Sequence, residues 1–277
     1  MNLFEDILTD KSSGSGTILK KVQKQLLYFG ETSGEISKGW LFSSLQVLQE
    51  HFPQFGLLLH FNTAINKHFR QSEVISGEQL SRYVRSYNEI WKNSQDNSSK
   101  QLIETVSMEG KNILLHSNSS ALHNLFQHLA KAGIRPVVWQ TWSSPVGEGT
   151  IQAEMLSNSG FKVNLIHEDS IGRFMKNLDM AILGADMILD DLFLNKTGSL
   201  PAILIFRHFN KPAYLLAEKR KVFHSEHIQE TVLNNILNEK PKPALDLYRG
   251  NASGIKVHNY YFEWTPVKWI NKIFLGE

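Results

Sequence analysis

Two hydrophobic periodicities divide the chain. In GTILKKVQKQLLYF the apolar residues Ile18, Val22, Leu26 and Phe29 fall on one face at a spacing of three to four, which predicts a helix. The stretch SGEQLSRYVRSYNEIW keeps that spacing behind a capping-box pattern, Ser76 to Gln79, in which each side chain satisfies a free backbone amide of the other. The amino-terminal third therefore reads as helical. The polar run NSQDNSSK, Asn93 to Lys100, predicts a loop, and QLIETVSMEG predicts a last connecting helix. This places a helical domain over residues 1–105 and a second domain over 106–277.

From Lys111 the period changes, and short apolar runs alternate with helical stretches. Strands are predicted near NILLHS, RPVVWQT, KVNLIHE, MAILGAD, PAYLLAE and IKVHNYYF. Helices are predicted near NSSALHNLFQHLAKAG, GEGTIQAEMLSNSG, DSIGRFMKN and TGSLPAILIFRHFN. This rhythm predicts an α/β fold with a mostly parallel twisted sheet and helices on both faces.

In such a sheet the carboxyl ends of the strands gather ligand-binding groups. MAILG, Met180 to Gly184, reads as a strand buried on both faces, and it runs into Asp186, Asp190, Asp191, Asn195 and Lys196. Asp186 reads either as a helix cap satisfied by backbone amides or as a functional acid. Asp190 and Asp191 read as solvated loop acids, since no His or Glu stands at ligand spacing beside them, and no metal is predicted. Asn195 and Lys196 are read as opening a helix, where free amides and a lysine could hold a phosphate; the plainer alternative is a cap with an exposed lysine.

Composition narrows the function classes. With 42% hydrophobic and 20% charged residues over 277 positions, the chain can bury a large core. It has no cysteine, which excludes disulfides, thiolate metal sites and thiol nucleophiles together. Its net charge is only +2, and the basic residues are scattered except in EKRKVF, Glu218 to Phe223, so no nucleic-acid partner is indicated. Apolar runs fall short of the roughly 20 residues a membrane helix needs, and MNLFEDILTDKSS carries acids where a signal peptide is positive. The expectation is a cytoplasmic protein with no membrane association.

SSGSGT, Ser12 to Thr17, follows no strand, and no G-x-x-x-x-G-K-[ST] occurs, which argues against a dinucleotide or P-loop enzyme; no cofactor is predicted. The loop could form an anion-holding nest before the first long helix or be a flexible cap. His116 beside Ser117 lacks a G-x-S-x-G elbow. Ser117, Ser119 and Ser120 in HSNSSAL could cap the following helix or bind a ligand. His123, His128 and His208 read as packing or surface residues.

GADMILDDLFLNKTGS resembles the G-A-D…N-K-x-G-T signature of the family joining the regulatory subunits of translation initiation factor 2B to aldose-ketose isomerases acting on methylthioribose 1-phosphate and ribose 1,5-bisphosphate. Four further stretches are similar to that family in order: ILLHSNSSAL, GTIQAEMLSNSGFKVNLIHEDSIGRFM, NKPAYLLAEKRKVF and NYYFEWTPVKWINKIFLGE. The resemblance covers Asn112 to Glu277 well and the helical third weakly. It implies a helical amino-terminal domain on a Rossmann-like carboxy-terminal domain (NagB/RpiA/CoA transferase-like), with a homodimer or higher homo-oligomer formed largely through the latter.

The family's isomerases use a cysteine and the aspartate of G-A-D as an acid/base pair. Asp186 stands in the aspartate position, and Ser117 in that of the cysteine. An alcohol is far too weak an acid to exchange protons unaided at neutral pH. The family's E-[ST]-R-P, whose arginine grips substrate phosphate, is represented by QTWSSPVGEG, Gln140 to Gly149, where neither Trp142 nor Ser143 reproduces a guanidinium. Asn195 follows Asp186 by nine residues, one fewer than in the family, and the intervening N-G is gone. The R-G-A of the isomerases is represented by Ser13, Gly14 and Ser15, again without the arginine.

Three readings follow. The leading one is a non-catalytic member that binds a phosphorylated small molecule, a sugar phosphate or nucleotide, and acts through assembly or regulation. The second is an aldose-ketose isomerase with a relocated acid/base group. The third is another enzyme on this scaffold, using Asp186 as base and Ser117 as donor or nucleophile. In each, Asp186, Ser117, Asn195, Lys196 and the loop of Ser13, Gly14, Ser15 and Gly16 are expected to converge on one cleft between the domains.

Overall fold

Amphipathic helices build the amino-terminal part, and their apolar faces meet in one core. The computed structural model describes residues 3–10, 13–250, 252 and 254–276, so Ser12 of the SSGSGT stretch lies outside the described residues. The helices are α1 (Glu5–Leu8), α2 (Ser15–Thr32), α3 (Lys38–His51), α4 (Gly56–His68), α5 (Gly77–Trp91) and α6 (Ser94–Thr105). Ile18, Val22 and Leu26 of α2 are fully buried against Leu45 and Leu48 of α3, Phe61 of α4 and Val84 of α5.

Ser76 caps α5 as its spacing predicts. Its hydroxyl accepts from the Gln79 amide at 3.1 Å, and the Gln79 side chain accepts from the Ser76 amide at 2.9 Å. A short antiparallel ribbon, β1 (Glu35–Ser37) with β2 (Val74–Ser76), joins the helix pairs. At the α2/α5 crossing a Cβ on Gly77 would stand 2.1 Å from the carbonyl oxygens of Gly30 and Ser33, so only glycine fits.

The remaining elements are β3 (Asn112–Leu115), α7 (Ser120–Lys131), β4 (Val137–Thr141), α8 (Gly149–Asn158), β5 (Lys162–Ile166), α9 (Ile171–Phe174), β6 (Met180–Gly184), β7 (Met187–Leu189), β8 (Leu192–Lys196), α10 (Ser199–His208), β9 (Ala213–Leu216), β10 (Val222–Phe223), α11 (Glu230–Leu237), β11 (Phe262–Pro266) and β12 (Lys272–Phe274). Six strands form one parallel sheet in the order β12-β9-β6-β3-β4-β5.

Alternation along β3 shows both faces covered. Ile113 and Leu115 pack with Leu122 and Phe126 of α7, whereas Leu114 packs with Ile203 and Phe206 of α10. All five residues of β6 are buried, as a central strand requires. The expected α/β fold with a parallel sheet is the fold observed. Among the described residues no helix is long and apolar enough to cross a membrane.

Three local expectations are corrected. NSQDNSSK is the first half of α6, not a loop. Its polar side chains form the face packed on α7: Ser99 donates to the Asn124 side chain at 2.8 Å, and Asp96 accepts from Asn124 at 2.8 Å and His128 at 2.9 Å. Hydrogen bonds replace the apolar stripe, so periodicity is blind to it. The chain after Asp186 turns back as a hairpin, β7 and β8, with Asp190 in the left-handed region (φ 50°) at its tip. These strands belong to a second, mixed sheet ordered β10-β7-β8-β11. The strand expected at IKVHNYYF begins only at Phe262, where β11 pairs antiparallel with β8.

Candidate functional site

Ser117 follows β3 in a strained conformation. Its φ of 68° lies in the left-handed region, a costly position for a residue with a Cβ. The turn is held by its neighbour loop: the Ser117 amide donates to the Ser143 hydroxyl at 2.9 Å, and Gln140 donates to the Ser117 carbonyl at 3.1 Å. The Ser117 hydroxyl donates to one carboxylate oxygen of Glu148 at 3.1 Å, and the other accepts from the Lys196 ammonium at 3.0 Å.

Lys196 is 3% exposed and its ammonium lies 4.8 Å from the centre of the Tyr261 ring. Burial raises the pKa of Glu148; the Lys196 charge and hydrogen bond oppose that rise without cancelling it. Glu148 immediately precedes α8, in the QTWSSPVGEG stretch that follows β4. A carboxylate thus stands against the lysine where an anionic ligand would be expected.

Asp186 follows β6 and is fixed through its backbone. Its amide donates to the Leu194 carbonyl at 2.8 Å, and its carbonyl accepts from the Gly56 amide, at the start of α4, at 3.0 Å. Dense surroundings raise the Asp186 pKa by desolvation, opposed first by the Lys221 charge, then by the Ser15 hydroxyl that donates to the carboxylate, then by Lys196. Lys221 is itself buried and donates to the Ala185 carbonyl at 2.6 Å. The sequence reading passed over it; the only signal was its place in the one basic cluster, EKRKVF.

Gly56 ties the helices to Asp186. A Cβ there would come within 2.7 Å of the Asp186 carbonyl oxygen and 3.1 Å of the Phe223 ring. Gly56→Ala is therefore expected to destabilise the protein by about 1–3 kcal/mol through overpacking. A thermal midpoint unchanged from the native protein would show that the contact relaxes freely.

The amino end of α2 joins this cluster. Gly14 is the N-cap of that helix, and Ser15, its first residue, is buried against Asp186. A Cβ on Gly16 would stand 2.9 Å from the Ser120 hydroxyl, and one on Gly14 would stand 3.8 Å from the Asn118 carbonyl oxygen. The α2 terminus therefore abuts the turn between β3 and α7.

Asp186, Lys196, Ser117, Gly14, Ser15 and Gly16 are thus brought together, whereas Ser13 and Asn195 are turned elsewhere. The Ser13 amide donates to Asp10 at 2.9 Å. The Asn195 side chain donates to the Ser199 hydroxyl at 2.9 Å and braces the turn before α10. Asn195 and Lys196 do not open a helix: they end β8, and α10 starts after Gly198, whose φ of 105° makes the turn. Strand pairing decides this: β7 turns the chain back along Leu192–Leu194, and β11 pairs with Asn195 and Lys196 and keeps the chain extended through them.

His116 is fully buried and serves the scaffold. One ring nitrogen meets the Thr141 hydroxyl at 2.7 Å and the other the Thr197 carbonyl at 3.0 Å. Burial lowers its pKa to about 4, so the ring is neutral. Both nitrogens are engaged away from the Ser117 hydroxyl, which leaves the adjacent pair without a serine-activating base.

A parallel sheet with helices on both faces, and with Asp186, Lys196, Ser117 and the α2 amino terminus grouped beyond its carboxyl edge, defines an α/β protein with a polar cluster at the sheet end. The chain belongs to the Initiation factor 2 subunit family, whose model matches residues 56–275. It is 29% identical over 185 residues to a ribose 1,5-bisphosphate isomerase of Methanocaldococcus jannaschii, covering 64% of this chain and 59% of that protein. It is 26% identical over 180 residues to the translation initiation factor eIF2B subunit alpha of Dictyostelium discoideum, covering 63% of this chain and 56% of that one. The chain thus spans less than two thirds of the length of both relatives. Its fold is similar to that of the Pyrococcus horikoshii OT3 translation initiation factor eIF-2B, with a TM-score of 0.77 at 22% identity, covering 98% of this chain and 93% of the other.

Proposed function

We propose that this chain binds a phosphorylated small molecule, a sugar phosphate or nucleotide, in the Asp186/Lys196 cleft and acts without isomerase chemistry, through assembly or regulation as a cytoplasmic homo-oligomer. The observation that carries this reading is the Ser117–Glu148–Lys196 chain of hydrogen bonds. It keeps a buried cation for the ligand and puts an unactivated alcohol where the related isomerases have their thiol. Ser117 lacks a proton acceptor strong enough to ionise it, since an aliphatic alcohol beside a carboxylate is harder to deprotonate, not easier.

A thermal-shift comparison tests the binding half of the proposal. Ribose 5-phosphate at a hundred times its Kd should stabilise the protein by about 2.7 kcal/mol, a rise in midpoint of roughly 5–10 °C. Free ribose at the same concentration should leave the midpoint unchanged. Equal shifts from both would remove the phosphate from the account.

One observation favours a second reading, an isomerase with a relocated acid/base group. Glu148, with its raised pKa, lies 3.1 Å from the Ser117 hydroxyl and shares Lys196 as a charged neighbour with Asp186. Turnover by the native protein that is lost in both Asp186→Asn and Glu148→Gln, with folding intact, would select that reading.

A further inference from the structure

Helices α2 and α5 approach most closely at Gly30 and Gly77. Beside this crossing lies an open, mostly apolar groove of about 420 Å³, away from every residue of the sheet-end cluster. Lys20, Lys24, Leu27, Tyr28 and Glu31 of α2 line one side, and Asn88 of α5 lines the other. The five α2 residues stand one to four positions apart on a single helical stripe, so the groove runs about 16 Å along that helix.

The stripe joins exposed apolar surface to uncompensated positive charge. The Tyr28 side chain is 68% exposed, and Leu27 beside it is half-buried. Glu31 is the one acid in α2, and Arg85 of α5 neutralises it. Lys21, which faces away from the groove, pairs with Asp10. Lys20 and Lys24 are exposed and, among the described residues, pair with no carboxylate. Lysine stems lie along apolar surface while their ammonium groups stay in water, so the two residues extend the apolar strip and give it a basic rim.

A groove between two helices with an apolar floor is the shape that receives a third helix, anchored by apolar side chains at a spacing of three to four. The unpaired lysines on its rim select carboxylates beside those anchors. We propose that the α2/α5 groove docks an acidic amphipathic helix of a partner protein. The inference stands apart from the phosphate site, and it gives assembly or regulation a defined contact surface.

Fluorescence anisotropy on the full chain tests it with a labelled helical peptide carrying leucines at helical spacing and glutamates beside them. The native protein should bind this peptide saturably, with a Kd below about 1 mM, and prefer it at least tenfold or so over a scrambled peptide of the same composition. Combining Lys20→Glu with Lys24→Glu should weaken it by about tenfold, because two ion pairs become repulsions. That double variant should in turn bind the same peptide with lysines in place of its glutamates. Tyr28→Ala should also weaken binding by about tenfold through loss of the aromatic contact. These side chains are exposed, so the variants keep the native core, which an unchanged thermal midpoint verifies. No saturable binding at millimolar peptide, equal binding of the scrambled peptide, or undiminished binding by the charge-reversed protein overturns the proposal. A native oligomer that Tyr28→Ala dissociates in light scattering also overturns it, since a second copy of this chain then covers the groove.

Discussion

Replacing Lys196 with alanine is expected to weaken binding of a sugar phosphate by at least about tenfold, since a hydrogen bond to a charged group contributes roughly 1.5–3 kcal/mol and 1.4 kcal/mol is tenfold. The free sugar should bind Lys196→Ala and the native protein alike. The reason is that Lys196 is a buried cation joined to the Ser117 turn through Glu148, which already engages its ammonium at 3.0 Å. An incoming phosphate competes with that carboxylate.

Affinity should therefore depend on pH through Glu148. Glu148 has a raised pKa, so as pH falls towards that value the carboxyl takes up a proton and releases Lys196 to the ligand. Protonation of Glu148 should favour binding, while loss of phosphate charge near its second ionisation, about pH 6, opposes it. Glu148→Gln should bind more tightly than the native protein at neutral pH. Calorimetry across that range, with the same pH dependence in native protein and Glu148→Gln, would show that Glu148 is not the competitor.

The second large effect concerns the thiol. Ser117→Cys should recover at most traces of isomerase turnover, although it restores the residue type of the related enzymes. Glu148 stands 3.1 Å from the hydroxyl, and a carboxylate at that distance raises a thiol's pKa and suppresses the reactive thiolate. An isomerase substrate would also need accurate placement, and a displacement of about 1 Å costs roughly a hundredfold. Adding Glu148→Gln to Ser117→Cys should raise turnover above that of Ser117→Cys alone. Equal rates in the two variants would show that Glu148 has no hold on the thiol.

What the sequence made legible was whatever rests on local periodicity or capping. The apolar face of α2, the Ser76 capping box and the βαβ alternation each follow from neighbours in the chain, and each stands in the structure. Asp186 was legible because a fully apolar strand leads into it. Lys196 was found, but its setting was misread: flanking apolar triplets around Asp190 and Asp191 close a hairpin, so the lysine ends a strand instead of starting a helix. The α6 segment escaped because polar contacts to α7 hold it in place of an apolar stripe.

Glu148 and Lys221 were illegible for a different reason. Glu148 meets Lys196 across 48 residues of sequence, and Lys221 reaches the Ala185 carbonyl across 36. Each of these polar side chains has an ordinary local context. Only the sheet order, which sets β6 beside β3 and the β7–β8 hairpin against α4, gives them their partners.

The most direct test of the account is one NMR experiment in which ¹³C-labelled ribose 1,5-bisphosphate is added to the native protein and followed over hours. Bound ligand should broaden or shift its resonances in a manner reversed by Lys196→Ala, while no ketose carbonyl signal grows above the protein-free control. Steady growth of that signal, abolished by Asp186→Asn in a folded protein, would contradict the non-catalytic reading and establish an isomerase that works without cysteine.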